Sequence, residues 1–188
     1  CVSMSVGNKK VAIVGANGVV TLIDLVSGER CIADQVVDAN VVCVASPQVW
    51  IGRQNGMICC NNEETGKESF LFVENFELSG SITWMAALSQ SKVIVADDKG
   101  CVCIIAVNEG FQPRVVSRTQ LKEGAVCGCV INENLAWLAD RSSVLAVNVC
   151  DDELDVVGVD RAEGICAMTF VGGTEVWAVG KSELRVYV

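Results

Sequence analysis

The chain contains no histidine. Ser-His-Asp and Cys-His mechanisms are therefore excluded within it, and so is a mixed cysteine–histidine zinc site. Proline is scarce, two in 188 residues, and no Pro-rich or Ser/Gly-rich linker divides the chain. Residues 1–188 are accordingly read as one domain. Basic runs are missing too: 14 basic residues face 23 acidic ones, a net charge of −9. Nucleic acid and anionic membrane surfaces are both recognised by clustered cations, so neither is expected as a partner. No apolar run approaches about 18 residues, so no membrane insertion is expected. Residues 1–5 have no basic segment of the signal-peptide kind. The first residue is Cys1, not methionine, and a longer parent protein is expected. No Asn-x-Ser/Thr sequon occurs, in keeping with a cytoplasmic origin. Helical periodicity is nearly absent, with room for one turn at residues 74–78.

What is present is apolar and repetitive. Hydrophobic residues make up 51% of the chain, enough for a large core and against disorder. There are eleven cysteines, an odd number. A chain able to build its own core does not need disulfides, so the cysteines are read as reduced. One stretch recurs five times. Val49-Trp50-Ile51-Gly52-Arg53-Gln54-Asn55-Gly56 reads as strand, Asn-Gly hairpin turn and the approach to a second strand. Its relatives end at positions 18, 100, 143 and 183, giving successive spacings of 38, 44, 43 and 40 residues. A near-fixed period of this size marks a repeat architecture.

Within the second repeat, strands are expected at residues 40–45, 49–53, 57–60 and 68–73, with a turn at Ser46-Pro47. The other repeats fit this four-strand template, except that the fifth ends after three strands. Third-to-fourth turns carry glycine, as in Ser27-Gly28-Glu29 and Thr65-Gly66-Lys67, where an αL residue closes a bulged hairpin. Four short strands per repeat define an all-β chain and point to a β-propeller of four-stranded antiparallel blades. About five blades are expected, at residues 1–35, 36–76, 77–120, 121–160 and 161–188. A solenoid of stacked hairpins is the alternative.

Two phrases resemble a known family. They are Val49-Trp50-Ile51-Gly52-x-x-Asn55-Gly56 and Gly164-Ile165-Cys166-Ala167-Met168-x-Phe170-Val171-x-Gly173-x-Glu175-Val176-Trp177-Ala178. They look like the WD-repeat-like propellers of eukaryotic signalling proteins. Roco kinases, JNK-interacting scaffolds and some Rho exchange factors carry such domains. The resemblance covers almost the whole chain as a pattern. It implies a non-catalytic scaffold that binds other proteins within a larger signalling polypeptide. The Gly-His pair and the Trp-Asp dipeptide of classical WD repeats are both missing. Such propellers usually have seven blades, so the five either close by themselves or belong to a larger ring. A partial ring should expose apolar blade faces.

Candidate chemistry is sparse. Cys101-x-Cys103 and Cys127-x-Cys129 each place two thiols on one strand face. Zinc knuckles favour wider cysteine spacing, and cysteine packs well as a small hydrophobe, so core packing is preferred and no metal is assigned. Adjacent Cys59 and Cys60 point to opposite faces. Trp50, Trp84, Trp137 and Trp177 are read as packing between blades rather than as an aromatic cage. The acidic clusters Asp97-Asp98 and Asp151-Asp152-Glu153-x-Asp155 could bind calcium, but the second lacks the sixth-position glycine of an EF-hand loop, and both are read as solvated turns. Thr65-Gly66-Lys67 lacks the remaining residues of a phosphate loop. No cofactor is expected.

The turns between second and third strands should emerge on one face of a propeller. That face would carry Arg53, Gln54, Asp97, Asp98, Lys99, Asp140, Arg141 and Lys181. Loops on rigid scaffolds are where binding residues concentrate, so these are the expected partner-binding residues. Two other readings stand beside this one. The domain could drive homo-oligomerisation or pack on the rest of its polypeptide. It could also be a propeller hydrolase working through paired carboxylates.

Overall fold

The computed structural model describes residues 2–7, 9–33, 38–45, 48–62, 71–72, 78–107, 112–150 and 153–188. All regular structure among them is β. The first sheet joins β1 (Ser3–Val6), β2 (Lys10–Val14), β3 (Val20–Asp24) and β4 (Arg30–Ala33). The second joins β5 (Ala39–Ala45), β6 (Gln48–Arg53), β7 (Ile58–Asn62) and β8 (Leu71–Phe72). β9 (Ile82–Ala87), β10 (Lys92–Asp97), β11 (Cys101–Val107) and β12 (Pro113–Gln120) make the third. The fourth holds β13 (Cys127–Asn132), β14 (Leu135–Ala139), β15 (Ser143–Cys150) and β16 (Glu153–Arg161). The fifth has three strands, β17 (Ile165–Val171), β18 (Glu175–Gly180) and β19 (Leu184–Tyr187). Each sheet is an antiparallel meander in chain order.

Alternation along the strands gives each interior sheet two apolar faces. Four buried clusters result, one between each pair of successive sheets. Ala12, Val14, Val20 and Leu22 of the first sheet meet Val42, Val44, Val49, Ile51 and Cys59 of the second. The opposite face of the second sheet, with Cys43, Trp50, Ile58 and Cys60, meets Val93, Val95, Cys101 and Cys103 of the third. Ile94, Ala96, Val102 and Ile104 then meet Ala136, Leu138, Val147 and Val149 of the fourth. Last, Ala139, Val144 and Trp137 meet Ile165, Ala178 and Tyr187 of the fifth. A fully buried Val, Leu or Ile side chain contributes about 1.5–3 kcal/mol relative to exposure. The sheet-to-sheet contacts are therefore the main source of stability. Cys59 and Cys60 fall in different clusters, as their adjacency on one strand requires.

First strands of successive sheets lie side by side: β1 on β5, β5 on β9, β9 on β13 and β13 on β17. Polar side chains on them tie one sheet to the next. Ser3 and Ser5 hydroxyl oxygens accept from Val42 N (3.2 Å) and Val44 N (3.0 Å). Asn40 donates to Ile82 O at 2.6 Å, and Thr83 donates to Ala125 O at 2.7 Å. Residue numbers rise together in the first two bonds, so β1 and β5 run in the same direction. A cleft of about 510 Å³ opens along the first strands of the first four sheets.

The hairpin turn differs from the sequence expectation. A two-residue Asn-Gly turn would need positive φ at both residues. Only Gly56 has it, at 82°. Arg53 N donates to Met57 O and Gly56 N to Arg53 O, which leaves a three-residue loop, 54–56, with the glycine in the αL position. Asn55 contributes through its side chain, which accepts from Met57 N at 3.2 Å. A Cβ on Gly56 would also collide with Leu78 O. β16 likewise runs longer than the expected 154–157, and a register shift near Leu145 accommodates the extra residue. Of the expected helical turn at 74–78 only Leu78 is described, and the Ser46-Pro47 turn, Thr65-Gly66-Lys67 and Asp151-Asp152 lie outside the described residues.

Trp50 is fully buried, and its indole N–H has no hydrogen-bond partner among the described residues. A buried unsatisfied donor costs about 1–3 kcal/mol. Trp50→Phe removes that donor while leaving a modest void. The net change in unfolding free energy is expected to stay within about 1.5 kcal/mol, far below the about 3–5 kcal/mol of a Trp→Ala truncation. Urea denaturation of both variants checks this.

Candidate partner-binding surface

The turn from second to third strand of each interior sheet is held by the backbone that leads into two first strands, its own and the next sheet's. In the second sheet, Gln54 N donates to Asp38 O, and Leu78 N donates to Gly56 O. In the third, Asp98 N donates to Ser81 O, while Leu121 N and Ala125 N donate to Gly100 O and Asp97 O. In the fourth, Val126 N donates to Ala139 O, and Ala162 N and Gly164 N donate to Ser142 O and Arg141 O. The turns therefore sit at the starting ends of neighbouring first strands, on one side of the row of sheets.

Three interior turns are thus fixed to their surroundings by several backbone bonds. This matters for binding, because a loop already ordered loses little entropy when a partner arrives.

The eight expected residues divide into two groups. Asp97 and Asp140 are buried, and they are withdrawn from the expected surface. The Asp97 carboxylate accepts from Cys101 N (2.7 Å), Lys99 N (3.0 Å) and Gly80 N (3.2 Å). Asp140 accepts from Ser143 N (2.7 Å) and Ser142 N (2.8 Å), and both serine hydroxyls also donate to it. Each carboxylate closes its own turn, an Asx-turn role in which its acceptor capacity is used by the chain itself. Asp97 ends β10 and Asp140 directly follows β14, each two to four residues before the backbone N–H groups it accepts from within its turn.

The second group is available. Gln54, Asp98, Lys99, Arg141 and Lys181 are exposed, and Arg53 is half-buried at the end of β6. Asp98 Oδ1 accepts from Ser81 N at 2.9 Å, and Lys99 Nζ donates to Ser79 O at 2.6 Å. These local bonds hold the two side chains in place while leaving them in contact with solvent. With Asp97 and Asp140 withdrawn, the set carries four basic side chains, Arg53, Lys99, Arg141 and Lys181, and one acidic one, Asp98.

Sequence reading missed a polar cluster at the far end of the chain. Arg185 pairs with Asp160 at 2.6 Å and with Glu183 at 2.9 Å, and Tyr187 donates to Asp160 at 3.2 Å. Hydrogen bonds from Arg185 and Tyr187 hold the Asp160 carboxyl below its ordinary range, against a smaller opposing effect than their sum from desolvation, the largest single influence. The partners are about a repeat's half apart in sequence, and no local pattern links them. Trp177 Nε1 donates to Glu175 at 2.7 Å, also at the surface.

Among the described residues, no group of three or more Cys, Asp or Glu is placed to hold a metal ion. Cys101 and Cys103 are buried in the cluster between the second and third sheets. Burial raises both thiols, against the Arg118 guanidinium, whose Nε donates to Cys101 Sγ at 2.9 Å. Trp84 and Trp137 pack between sheets, Trp137 with its ring 5.2 Å from that of Tyr187. No helix among the described residues is long and apolar enough to cross a membrane.

No protein-family model matches the chain, and no curated protein matches it. Solved structures do. The structure of U3-55K is similar with a TM-score of 0.75 at 14% identity, over 96% of this chain and 61% of that one. The crystal structure of the computationally designed Ika4 protein is similar with a TM-score of 0.62 at 12% identity, over 78% of this chain and 88% of that one. At such identities the likeness is one of fold. The chain spans about three-fifths of the U3-55K chain.

Proposed function

We propose that this chain is a partial β-propeller of the WD-repeat-like kind, acting as a non-catalytic protein–protein interaction module. It would work inside a larger cytoplasmic signalling or scaffold protein. Each meander sheet is then a blade, with its first strand innermost. Support for the blade reading comes from the face-to-face stacking of five similar sheets and from their adjacent first strands. The observation that carries the functional reading is the alignment of the second-to-third turns on one side of this stack. They are held rigid from below and present Gln54, Asp98, Lys99 and Arg141 outward. Mixed charge on an ordered surface suits a partner of complementary charge and sets specificity more than raw affinity.

Buried Asp97 and Asp140 have to be left intact in any test of this surface. The variant Asp98→Lys/Lys99→Glu/Arg141→Glu reverses three exposed charges. It should lose proteins crosslinked to the wild-type chain in cells, as read by mass spectrometry. Its thermal midpoint should stay within a few degrees of wild type, as for surface substitutions generally. An unchanged crosslinking profile in a folded variant would rule out this surface.

A further inference from the structure

The longest strand is β16, and it forms the outer edge of the fourth sheet. Among the described residues its only pairing partner is β15. From Glu153 to Gly158 it pairs without interruption with Cys150 to Leu145, and the one register shift comes after that. An outer strand presents a row of unpaired N–H and C=O groups, and proteins blunt such edges with short strands, proline, Lys/Arg or bulges. β4 and β8 are short. β12 starts at Pro113, carries Arg114 and Arg118, and has a register shift opposite Ile104 and Ile105. Along Glu153–Gly158, β16 has no proline, no basic residue and no shift; its charges there are Glu153 and Asp155.

The two sides of this edge differ. Leu154, Val156 and Gly158 stand opposite Val149, Val147 and Leu145 and so look toward the third sheet. Leu154 and Val156 pack there, but a Cβ at Gly158 would meet no heavy atom within 4 Å. A groove of about 1390 Å³ passes this point, with Leu121 and Leu145 in its walls. On the other side, Glu153 and Asp155 are exposed and stand opposite Cys150 and Asn148. Neither has an ion-pair partner among the described residues. The edge therefore offers an apolar row ending in an open notch on one side, and two unpaired carboxylates at successive same-face positions on the other. Side chains on adjacent strands interact within the sheet, so this pattern does not depend on what lies over either face.

We propose that β16 is a docking edge and that it takes an extended segment of another protein, with basic and apolar residues in alternation, as a fifth strand of the fourth sheet. Main-chain hydrogen bonds supply the attachment, and the alternation of side chains supplies the choice of partner. Basic side chains fall opposite Glu153 and Asp155, each an opposite-charge cross-strand pair. Apolar side chains fall on the groove side, where bare Gly158 leaves room for one of them. A second copy of this chain cannot supply the matching face, because no two of its 14 basic residues stand two positions apart. The net charge of −9 favours a basic partner at longer range as well. The edge is separate from the second-to-third turns and uses none of their residues.

Fluorescence anisotropy with three labelled peptides of the length of β16 tests this on the full chain. One peptide alternates valine and lysine, one alternates valine and glutamate, and the third is the valine–lysine peptide methylated on every backbone nitrogen. The first should bind saturably, about tenfold tighter than either of the others, and more weakly as salt rises. Glu153→Lys/Asp155→Lys should weaken it about tenfold, since two attractive cross-strand pairs become repulsive. Both side chains are exposed, so the fold should hold, which near-ultraviolet circular dichroism checks. Should that variant unfold, Glu153→Gln/Asp155→Asn replaces it, with a loss of about threefold. Gly158→Val fills the notch and suits a strand. It should weaken binding about fivefold, because one apolar side chain of the peptide loses part of its burial. Equal binding of the methylated peptide would mean attraction by charge alone and overturns the proposal. Equal binding of the valine–glutamate peptide, no binding of any peptide, or an affinity unmoved by the substitutions at Glu153 and Asp155 overturns it as well. The variant Asp98→Lys/Lys99→Glu/Arg141→Glu should bind the valine–lysine peptide like wild type, so failure of the turn surface and failure of this edge are read separately.

Discussion

Replacing Asp97 with alanine is expected to cost about 3–5 kcal/mol of stability, while Asp98→Ala costs less than about 0.5–1 kcal/mol. The two are neighbours in sequence and identical in charge. Their surroundings decide the difference. Asp97 is fully buried and accepts from three backbone N–H groups, those of Gly80, Lys99 and Cys101. Removing it leaves three donors unpaired in a place that water does not reach, at about 1–3 kcal/mol each before relaxation. The same turn also receives Ala125 N and Leu121 N from the segment leading to the fourth sheet. Its loss therefore loosens two sheet junctions at once. Asp98 is exposed and makes one bond, to Ser81 N, that water can replace. Asp97→Asn should fall between, because one acceptor oxygen survives to serve Lys99 N and Cys101 N. Urea denaturation of the three variants gives the ranking. Equal effects of Asp97→Ala and Asp98→Ala would contradict the turn-closing role.

These two aspartates also mark the limit of what the sequence could show. The all-β character and antiparallel sheets of three or four strands were legible, because alternating β-branched residues and Asn-Gly or Asp-x-x-Gly turns recur at a near-fixed spacing. Opposite facing of Cys59 and Cys60 was legible from the period of two. The geometry of the turn at 54–56 was not, since Asn-Gly suits more than one loop length and only the backbone bonds of Arg53 choose between them. Nor was the burial of Asp97 and Asp140. A carboxylate in a turn can face water or be consumed by its own backbone, and composition is the same in both cases. The Asp160–Arg185 pair was invisible because it joins the outer strand of one sheet to the third strand of the next. Trp177, expected to pack between blades, is instead 37% exposed; a recurring tryptophan position does not by itself say whether another sheet covers it.

The buried thiols of the second sheet make the fold sensitive to alkali. Cys43, Cys59 and Cys60 are all buried, and desolvation of the thiolate pushes each up to about 12 from an ordinary value of 9.0. Below about pH 9 both folded and unfolded chains hold these protons, and the stabilising difference is fully present. Between about 9 and 12 the unfolded chain releases them while the folded chain keeps them. The folded state then binds more protons, so stability falls as pH rises, by about 1.4 kcal/mol per pH unit for each thiol and about 4 kcal/mol for the three. Against a total of about 5–15 kcal/mol for a domain of this kind, the chain should unfold within about two pH units above 9. Under reducing conditions, the urea midpoint measured at steps between pH 8 and pH 11 should drop steeply once past about 9. Burial also raises Cys101, Cys103, Cys127 and Cys129, so Cys60→Ala should flatten that slope by only about a seventh, one thiol among seven. It will also lower the midpoint at neutral pH through lost packing, so the slope, not the midpoint, carries the result. A midpoint that stays level from pH 9 to pH 11 in the reduced wild-type chain would mean that thiolates form inside the folded sheets, against the burial seen at all three sites.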